Sequence, residues 1–327
     1  MGIPKPHSEG DLDAEVSEGK VKDHDTASAR SSENSEDLGV AFSCSKWCKH
    51  QLSPDEIIED FLKRCDEESA NFVAEGAFQS QLNLEYGAEE REKVDIFSPK
   101  SADKDAPVFM FLHGGYWQAE QLSKDNNSLL GAPLVKNGAV LVTVGYSLAP
   151  ECTLHEMVEQ VKKAVVFVAK RFPDTRGIFI SGHSAGGHLA AMMLSVDWSS
   201  LLEGSKNVVK GILPISGIYD VRPITKTYIN EPLLLTESSA SSVSPLLLVD
   251  AIPKCNLEVK VHILVAEYDP PVLQIQAQDY SKLLSSLGLD VETMTLPGKD
   301  HFEEMTDLSD ENCPFQKVFL RAMGLTS

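Results

Sequence analysis

The chain has no run of apolar residues approaching the roughly 18 that a membrane-spanning helix needs, and its polar start lacks the apolar stretch of a secretory leader. It is also short of positive charge. Lys and Arg number 29 against 49 Asp and Glu, a formal net charge of −20. A nucleic-acid backbone or an anionic lipid surface is gripped by clustered cations, so both are excluded as expected partners. Cysteine is sparse: Cys44, Cys48, Cys65, Cys152, Cys255 and Cys313 are scattered over 327 residues. A chain of this length builds its core without staples, so these read as reduced thiols of a cytoplasmic protein, with nuclear entry left open. Cys44, Cys48 and His50 approach a metal-ligand spacing, but no second Cys/His pair follows at finger spacing. No metal and no cofactor are therefore expected. Repeats of solenoid period are absent.

What is present falls into two parts. Residues 1–40 hold ten acidic residues against four basic ones, six serines and no aromatic residue. Such a segment cannot bury enough apolar surface to offset its ordering entropy, so it is expected to be a disordered acidic tail. Residues 41–327 are expected to form one domain. Ser53-Pro54-Asp55-Glu56 reads as a capping box with Pro at the first helical position, followed by Ile57, Ile58, Phe61 and Leu62 at helical spacing. Strand-like segments follow near 82–86 and 93–97. Then come six apolar runs at 107–112, 139–144, 177–180, 211–215, 259–266 and 290–296, of the kind that strands buried on both faces show. Between them lie helical patterns at 154–168, 185–196 and 272–287. The alternation predicts an α/β fold with a mostly parallel central sheet flanked by helices. Residues 198–258 are expected to contain a cap- or lid-like insertion.

In such sheets ligands bind beyond the carboxyl ends of the strands, and the polar clusters of this sequence gather there. Gly182-His183-Ser184-Ala185-Gly186 matches G-x-S-x-G, a sharp strand-to-helix turn that lifts a serine hydroxyl above the sheet. A capped tight turn is the plainer reading of the pentapeptide, but a strand precedes it and a helix follows. His113-Gly114-Gly115-Tyr116-Trp117 ends the first buried run. Its glycines let the N–H groups of Gly114 and Gly115 face a developing oxyanion, with the N–H of Ala185 as third donor. Downstream of Ser184 stand His188, His262 and His301. His188 lies inside the following helix and His262 inside a strand, which leaves His301, in a loop after the last strand, as the base. Asp269, ending the fifth run, is the expected acid, with Asp220 and Glu267 as rivals. Structural roles are expected for His183 and His188. Tyr116 and Trp117 read equally as core or as an aromatic wall.

With these residues in place, the chain resembles the kynurenine formamidase (arylformamidase) family, α/β-hydrolases related to the hormone-sensitive-lipase-like esterases with an HGG motif. The resemblance covers roughly residues 42–327. It rests on the 113–117 motif with its Tyr-Trp ending, on Gly182–Leu189, on Tyr146–Pro150, on Ser216–Asp220 with Ser244-Pro245, and on Asp300-His301-Phe302. It implies hydrolysis of N-formyl-L-kynurenine to L-kynurenine and formate, in tryptophan breakdown. The machinery would be a Ser184–Asp269–His301 triad and the Gly114/Gly115/Ala185 oxyanion hole. Tyr116, Trp117 and Phe302 would wall the aromatic ring. The resemblance also allows a homodimer. Two rival readings are a general short-acyl carboxylesterase of the same fold and an inactive hydrolase-fold interaction protein.

Overall fold

A computed structural model describes residues 35–202 and 208–325. The expectation for the acidic tail falls almost wholly on residues outside this set. Where the two overlap, order begins earlier than expected, with helix α1 (Ser35–Ala41).

The strands are β1 (Phe78–Glu85), β2 (Lys93–Pro99), β3 (Val108–Leu112), β4 (Val140–Val144), β5 (Ile178–His183), β6 (Val209–Ile215), β7 (Lys260–Ala266) and β8 (Val291–Leu296). They form one sheet in the order β1-β2-β4-β3-β5-β6-β7-β8. β1 pairs antiparallel with β2 and β2 antiparallel with β4, and every later pairing is parallel. The remaining helices are α2 (Pro54–Glu75), α3 (Gly131–Lys136), α4 (Leu154–Arg171), α5 (Ala185–Met192), α6 (Trp198–Leu201), α7 (Asn230–Leu233), α8 (Glu237–Ser242), α9 (Pro271–Ser286), α10 (Glu303–Thr306) and α11 (Pro314–Ala322).

The apolar runs are strands for the reason their composition suggests. In β3, Val108, Met110 and Leu112 join the core on one face while Phe109 and Phe111 join the core on the other. β5 repeats this with Ile178 and Ile180 against Phe179. Each fully buried side chain of this kind contributes about 1.5–3 kcal/mol relative to exposure. β8 departs from the expectation. It is an outer strand with one buried residue, Leu296, and its Glu292 reaches solvent to pair with Arg321. Val291 packs partly on one core, while Met294 and Leu296 pack on the other, so both faces are covered only in part.

Helix starts follow their local chemistry. In α2 the Ser53 hydroxyl accepts from the Glu56 N–H, and the Glu56 carboxylate accepts from the Ser53 N–H. Thr153 and Glu156 build the same box on α4, whose Leu154, Met157, Val161, Val165 and Val168 are buried. Between β6 and β7, the residues from Arg222 to Asn256 fold as a series of short helical segments. Gln276 of α9 fastens the start of this stretch by bonding to the backbone of Tyr219 and Asp220.

The start of α5 lies almost in contact with the end of β3. A Cβ on Gly186 would stand 2.1 Å from the carbonyl oxygen of Leu112 and 2.5 Å from that of His113. Backbone on both sides leaves no rotamer to relieve the clash. Gly186→Ala is thus expected to destabilise the fold by about 1–3 kcal/mol or more, read as a lower urea midpoint. An unshifted midpoint would show that helix and strand are not held this close.

Candidate active site

β5 runs straight into α5 with Ser184 as the single residue between them. Its φ of 56° and ψ of −115° lie in a region that a side-chain-bearing residue enters only at a cost of about 1–3 kcal/mol. Two hydrogen bonds hold it there. The Ser184 N–H donates to Ile215 O on β6 at 2.8 Å, and the His188 N–H donates to Ser184 O at 3.0 Å. The turn sets the serine at the carboxyl end of the sheet.

His301, in the loop between β8 and α10, donates from Nδ1 to Asp269 Oδ1 at 2.7 Å. That bond fixes the tautomer and leaves Nε2 as the basic nitrogen. Asp269 is oriented in turn: its Oδ2 accepts from the Ala266 N–H at 2.9 Å and from the Ser216 hydroxyl. His183, the residue before Ser184, donates from Nε2 to the His301 carbonyl at 2.8 Å, and the two rings lie 4.5 Å apart. The serine turn and the histidine loop are thereby bonded side by side. The rival acids point elsewhere. Asp220 pairs with Arg222 at 2.8 Å, and Glu267 accepts from the Gly298 N–H at 2.6 Å.

The loop after β3 completes the group. A Cβ on Gly114 would stand 3.4 Å from Ser184 Cβ, so the chain passes directly beside the serine. Gly115, Tyr116 and Trp117 all carry positive φ. The loop is braced from behind. His113 stacks on Tyr146 at 4.2 Å, and the Tyr146 hydroxyl donates to His113 O at 2.6 Å. The Ala149 N–H donates to Trp117 O at 2.9 Å. Trp117 is fully buried. Its Nε1–H donates to His188 Nδ1 at 3.2 Å, and His188 Nε2 donates to Val243 O at 2.7 Å. Burial pushes His188 down to about 4, so it is a neutral bridge between the loop, α5 and the residues after β6. Of the three aromatic residues expected at the wall, Trp117 is turned into the core, while Tyr116 and Phe302 are half-buried.

Three residues to which the sequence reading gave no part in this site meet here. Ser216 orients Asp269, as described. Cys44 comes from the far N-terminal segment. Its N–H donates to the Tyr116 hydroxyl at 3.1 Å, its sulfur lies 3.2 Å from that hydroxyl, and the sulfur faces the His301 ring. Burial works against a charged His301, but the Cys44 sulfur and the Asp269 carboxylate outweigh it and hold the imidazole well above the ordinary histidine value. Glu304, on α10, is fully buried, 3.4 Å from His183 Nε2. Burial, and then the neighbouring Asp269 charge, raise its carboxyl well above the usual range. A glutamate following Asp300-His301-Phe302-Glu303 carries no sequence signal of this burial.

A serine on a strained strand-to-helix elbow, a buried Asp–His pair beside it and a glycine loop passing it, at the carboxyl end of a mostly parallel eight-stranded sheet, define an α/β-hydrolase. The BD-FAE family model matches residues 94–282. Kynurenine formamidase of Salmo salar is 39% identical over 292 residues, spanning 89% of this chain and 97% of that protein. The Danio rerio protein of the same name is 38% identical, spanning 88% and 96%. Among solved structures, a thioesterase-like protein from Silicibacter superposes with a TM-score of 0.73 at 27% identity, covering 86% of this chain and 98% of that one. The chain belongs to the kynurenine formamidase family. Among the described residues, no helix is long and apolar enough to cross a membrane.

The Glu304 environment has a thermodynamic consequence. A carboxyl whose folded pKa lies above its unfolded value leaves the folded state binding more protons, so stability falls as pH rises above about 4.3. Glu304→Gln removes that loss. The variant is therefore expected to gain thermal stability over the parent at pH 8 and to gain less at pH 5. A difference independent of pH would mean that Glu304 is ionised in the folded protein.

Proposed function

We propose that the chain hydrolyses N-formyl-L-kynurenine to L-kynurenine and formate, with Ser184, His301 and Asp269 as a catalytic triad. The observation that carries this reading is the Asp269–His301 pair bonded through His183 to the strained Ser184 turn. His301 Nε2 takes the hydroxyl proton as Oγ attacks the formyl carbon. Asp269 holds the ring in the required tautomer and stabilises the imidazolium. The N–H groups of Gly114, Gly115 and Ala185 receive the oxyanion, each worth about 2.7–4 kcal/mol in the transition state. The imidazolium then protonates the departing arylamine, and water releases formate from a formyl-serine by the reverse relay.

The backbone turn at Gly114 supports a small acyl pocket, because the loop passes so near the serine. With Trp117 buried, the aromatic wall falls to Tyr116 and Phe302. The names of the curated relatives favour the formamide substrate. The solved esterase neighbours, including the carboxylesterase EstE1 at a TM-score of 0.62 and 19% identity, speak only for the fold. A short-acyl esterase is the second reading.

Two experiments test the proposal. Purified protein is given N-formyl-L-kynurenine beside p-nitrophenyl acetate, and Ser184→Ala is compared on both. The expected result is a much higher kcat/KM for the formamide and loss of nearly all turnover in the variant. Turnover of the ester alone would leave an esterase, and an active variant would remove Ser184 from the mechanism. The second experiment concerns pH. Only neutral His301 can act as base, so kcat/KM rises with pH through a midpoint above the ordinary histidine value of about 6.5. Because the Cys44 sulfur helps hold that value up, Cys44→Ala is expected to move the midpoint to lower pH. An unmoved midpoint would rule out Cys44 as a cause.

A further inference from the structure

We propose that Glu304 is a positioning residue for the hydrolysis: as a neutral acid it leaves the His183 Nε2–H to the His301 carbonyl, and its ionisation at alkaline pH competes for that donor and switches the site off. The inference rests on the hydrolase reading above. It goes beyond that reading by giving the site an upper pH limit that the triad alone does not have.

The geometry places one donor between two oxygens. His183 Nε2 donates to His301 O at 2.8 Å, and Glu304 Oε1 stands 3.4 Å from the same nitrogen. One ring nitrogen each of His183 and His301 and one carboxyl oxygen of Glu304 all lie within 4.8 Å of one another. At 2.8 Å the His301 carbonyl holds the better bond, and a neutral carboxyl oxygen 3.4 Å away is a weak competitor. A carboxylate is a strong one, because a hydrogen bond to an ionised acceptor is about twice as strong as a neutral one. The His183 ring has little room to serve both oxygens. It is buried, its ring lies 6.3 Å from that of Phe61 on α2, and a Cβ on Gly114 would stand 3.2 Å from its Nδ1. Ionised Glu304 therefore takes the donor away from the backbone of His301, the residue whose Nε2 must face Ser184.

Glu304 is fully buried, and no Lys or Arg pairs with it among the described residues. The groups that face it come from every side: His183 at the end of β5, Ser216 and Tyr219 after β6, Asp269 after β7, His301 on the preceding loop and Cys44 of the N-terminal segment. Burial and the Asp269 charge favour the acid form, while the His301 ring and the Ser216 hydroxyl work the other way and are outweighed. Buried glutamates of this kind ionise as late as about pH 8–9. An ionised Glu304 would also favour the imidazolium of His301, which cannot act as base, so both effects lower the rate. The sign is then fixed. Activity rises with pH as His301 loses its proton and falls again as Glu304 ionises, and the two limbs belong to the coupled pair.

The test compares kcat/KM from about pH 6 to about pH 10 in the parent and in Glu304→Gln, which keeps the side-chain shape and cannot ionise. The substrate is whichever of N-formyl-L-kynurenine and p-nitrophenyl acetate the parent turns over, with the uncatalysed rate subtracted and folding checked by circular dichroism at each pH. The expected result is a bell in the parent whose alkaline limb falls by about 10-fold or more, and a plateau without that limb in Glu304→Gln. His183→Phe keeps a flat ring and loses the donor, so it should lower kcat by about 10-fold or more with little change in KM. Infrared difference spectra of the parent need no turnover. They should show a protonated carboxyl band that disappears over the pH range of the kinetic limb and is missing from Glu304→Gln. A limb that Glu304→Gln retains, a parent profile that stays flat at alkaline pH, or a carboxyl band that persists through the limb overturns the proposal. Loss of turnover in Ser184→Ala sustains the hydrolase reading whatever the shape of the limb, so the two readings fail separately.

Discussion

The whole site hangs on how closely the start of α5 approaches the ends of β3 and β6. The helix can begin immediately after β5 only if its first turn carries no side chain toward Leu112 O and His113 O, which is what Gly186 provides. That proximity forces the one intervening residue into strained backbone space. Ser184 is held there because the sheet, the helix and the Ile215 carbonyl over-determine its position. The same closeness lets the chain at Gly114 pass within van der Waals reach of Ser184 Cβ. Strain at one residue is thus offset by packing across three strands, and the result is a serine whose placement does not depend on a flexible loop.

Around that turn the protein buries an unusual density of titratable groups: Asp269, His301, His183, Glu304 and Cys44. They do not behave as independent charges. Asp269 is satisfied by a backbone N–H, a hydroxyl and the His301 ring, so its negative charge has partners in place. A second negative charge at Glu304 would face burial and the Asp269 charge, which outweigh the His301 ring and the Ser216 hydroxyl and raise that carboxyl well above the usual range. His183 is kept neutral by burial and by the neighbouring His301 ring, and it serves by donating one proton to a carbonyl. The arrangement therefore concentrates the exchangeable proton on a single pair, Asp269–His301. That is the condition a general base needs if its proton is to go to the substrate and not be shared among neighbours.

Much of this was legible in the sequence where local chemistry decides the outcome. The capping boxes at Ser53 and Thr153, the doubly buried strands and the elbow at Ser184 are written in short stretches of chain. The order of residues after Ser184 pointed to His301 and Asp269, and the structure brings those two together. What stayed hidden depends on long-range packing. β8 turns apolar residues toward both cores, as an interior strand would, so its edge position could not be read from its composition. Trp117 is separated from the glycine pair by one residue, and its sequence context suits a ligand-facing wall and the core equally. Its direction is settled by His188, 71 residues away. Ser216 and Glu304 matter because of where β6 and α10 end, and neither sits in a pattern that marks it.

The N-terminal segment sharpens this last point. Sequence alone places residues 42–50 at the start of the folded domain, with Cys44, Cys48 and His50 near a metal-ligand spacing and no link to the catalytic motifs. In the fold, Phe42 O takes the Tyr116 hydroxyl proton at 2.7 Å, Cys44 lies against both Tyr116 and His301, and Lys49 pairs with Glu303 at 2.9 Å. The segment therefore touches both the glycine loop that would stabilise the oxyanion and the loop that carries His301. A hydrolase core of strands and helices can place a serine, an acid and a histidine by itself. The surroundings that decide the basicity of the histidine come, in this chain, from residues more than 250 positions upstream. Substitution of Cys44 would then act on the reaction through His301 and Tyr116, a route that no reading of the catalytic motifs in isolation would expose.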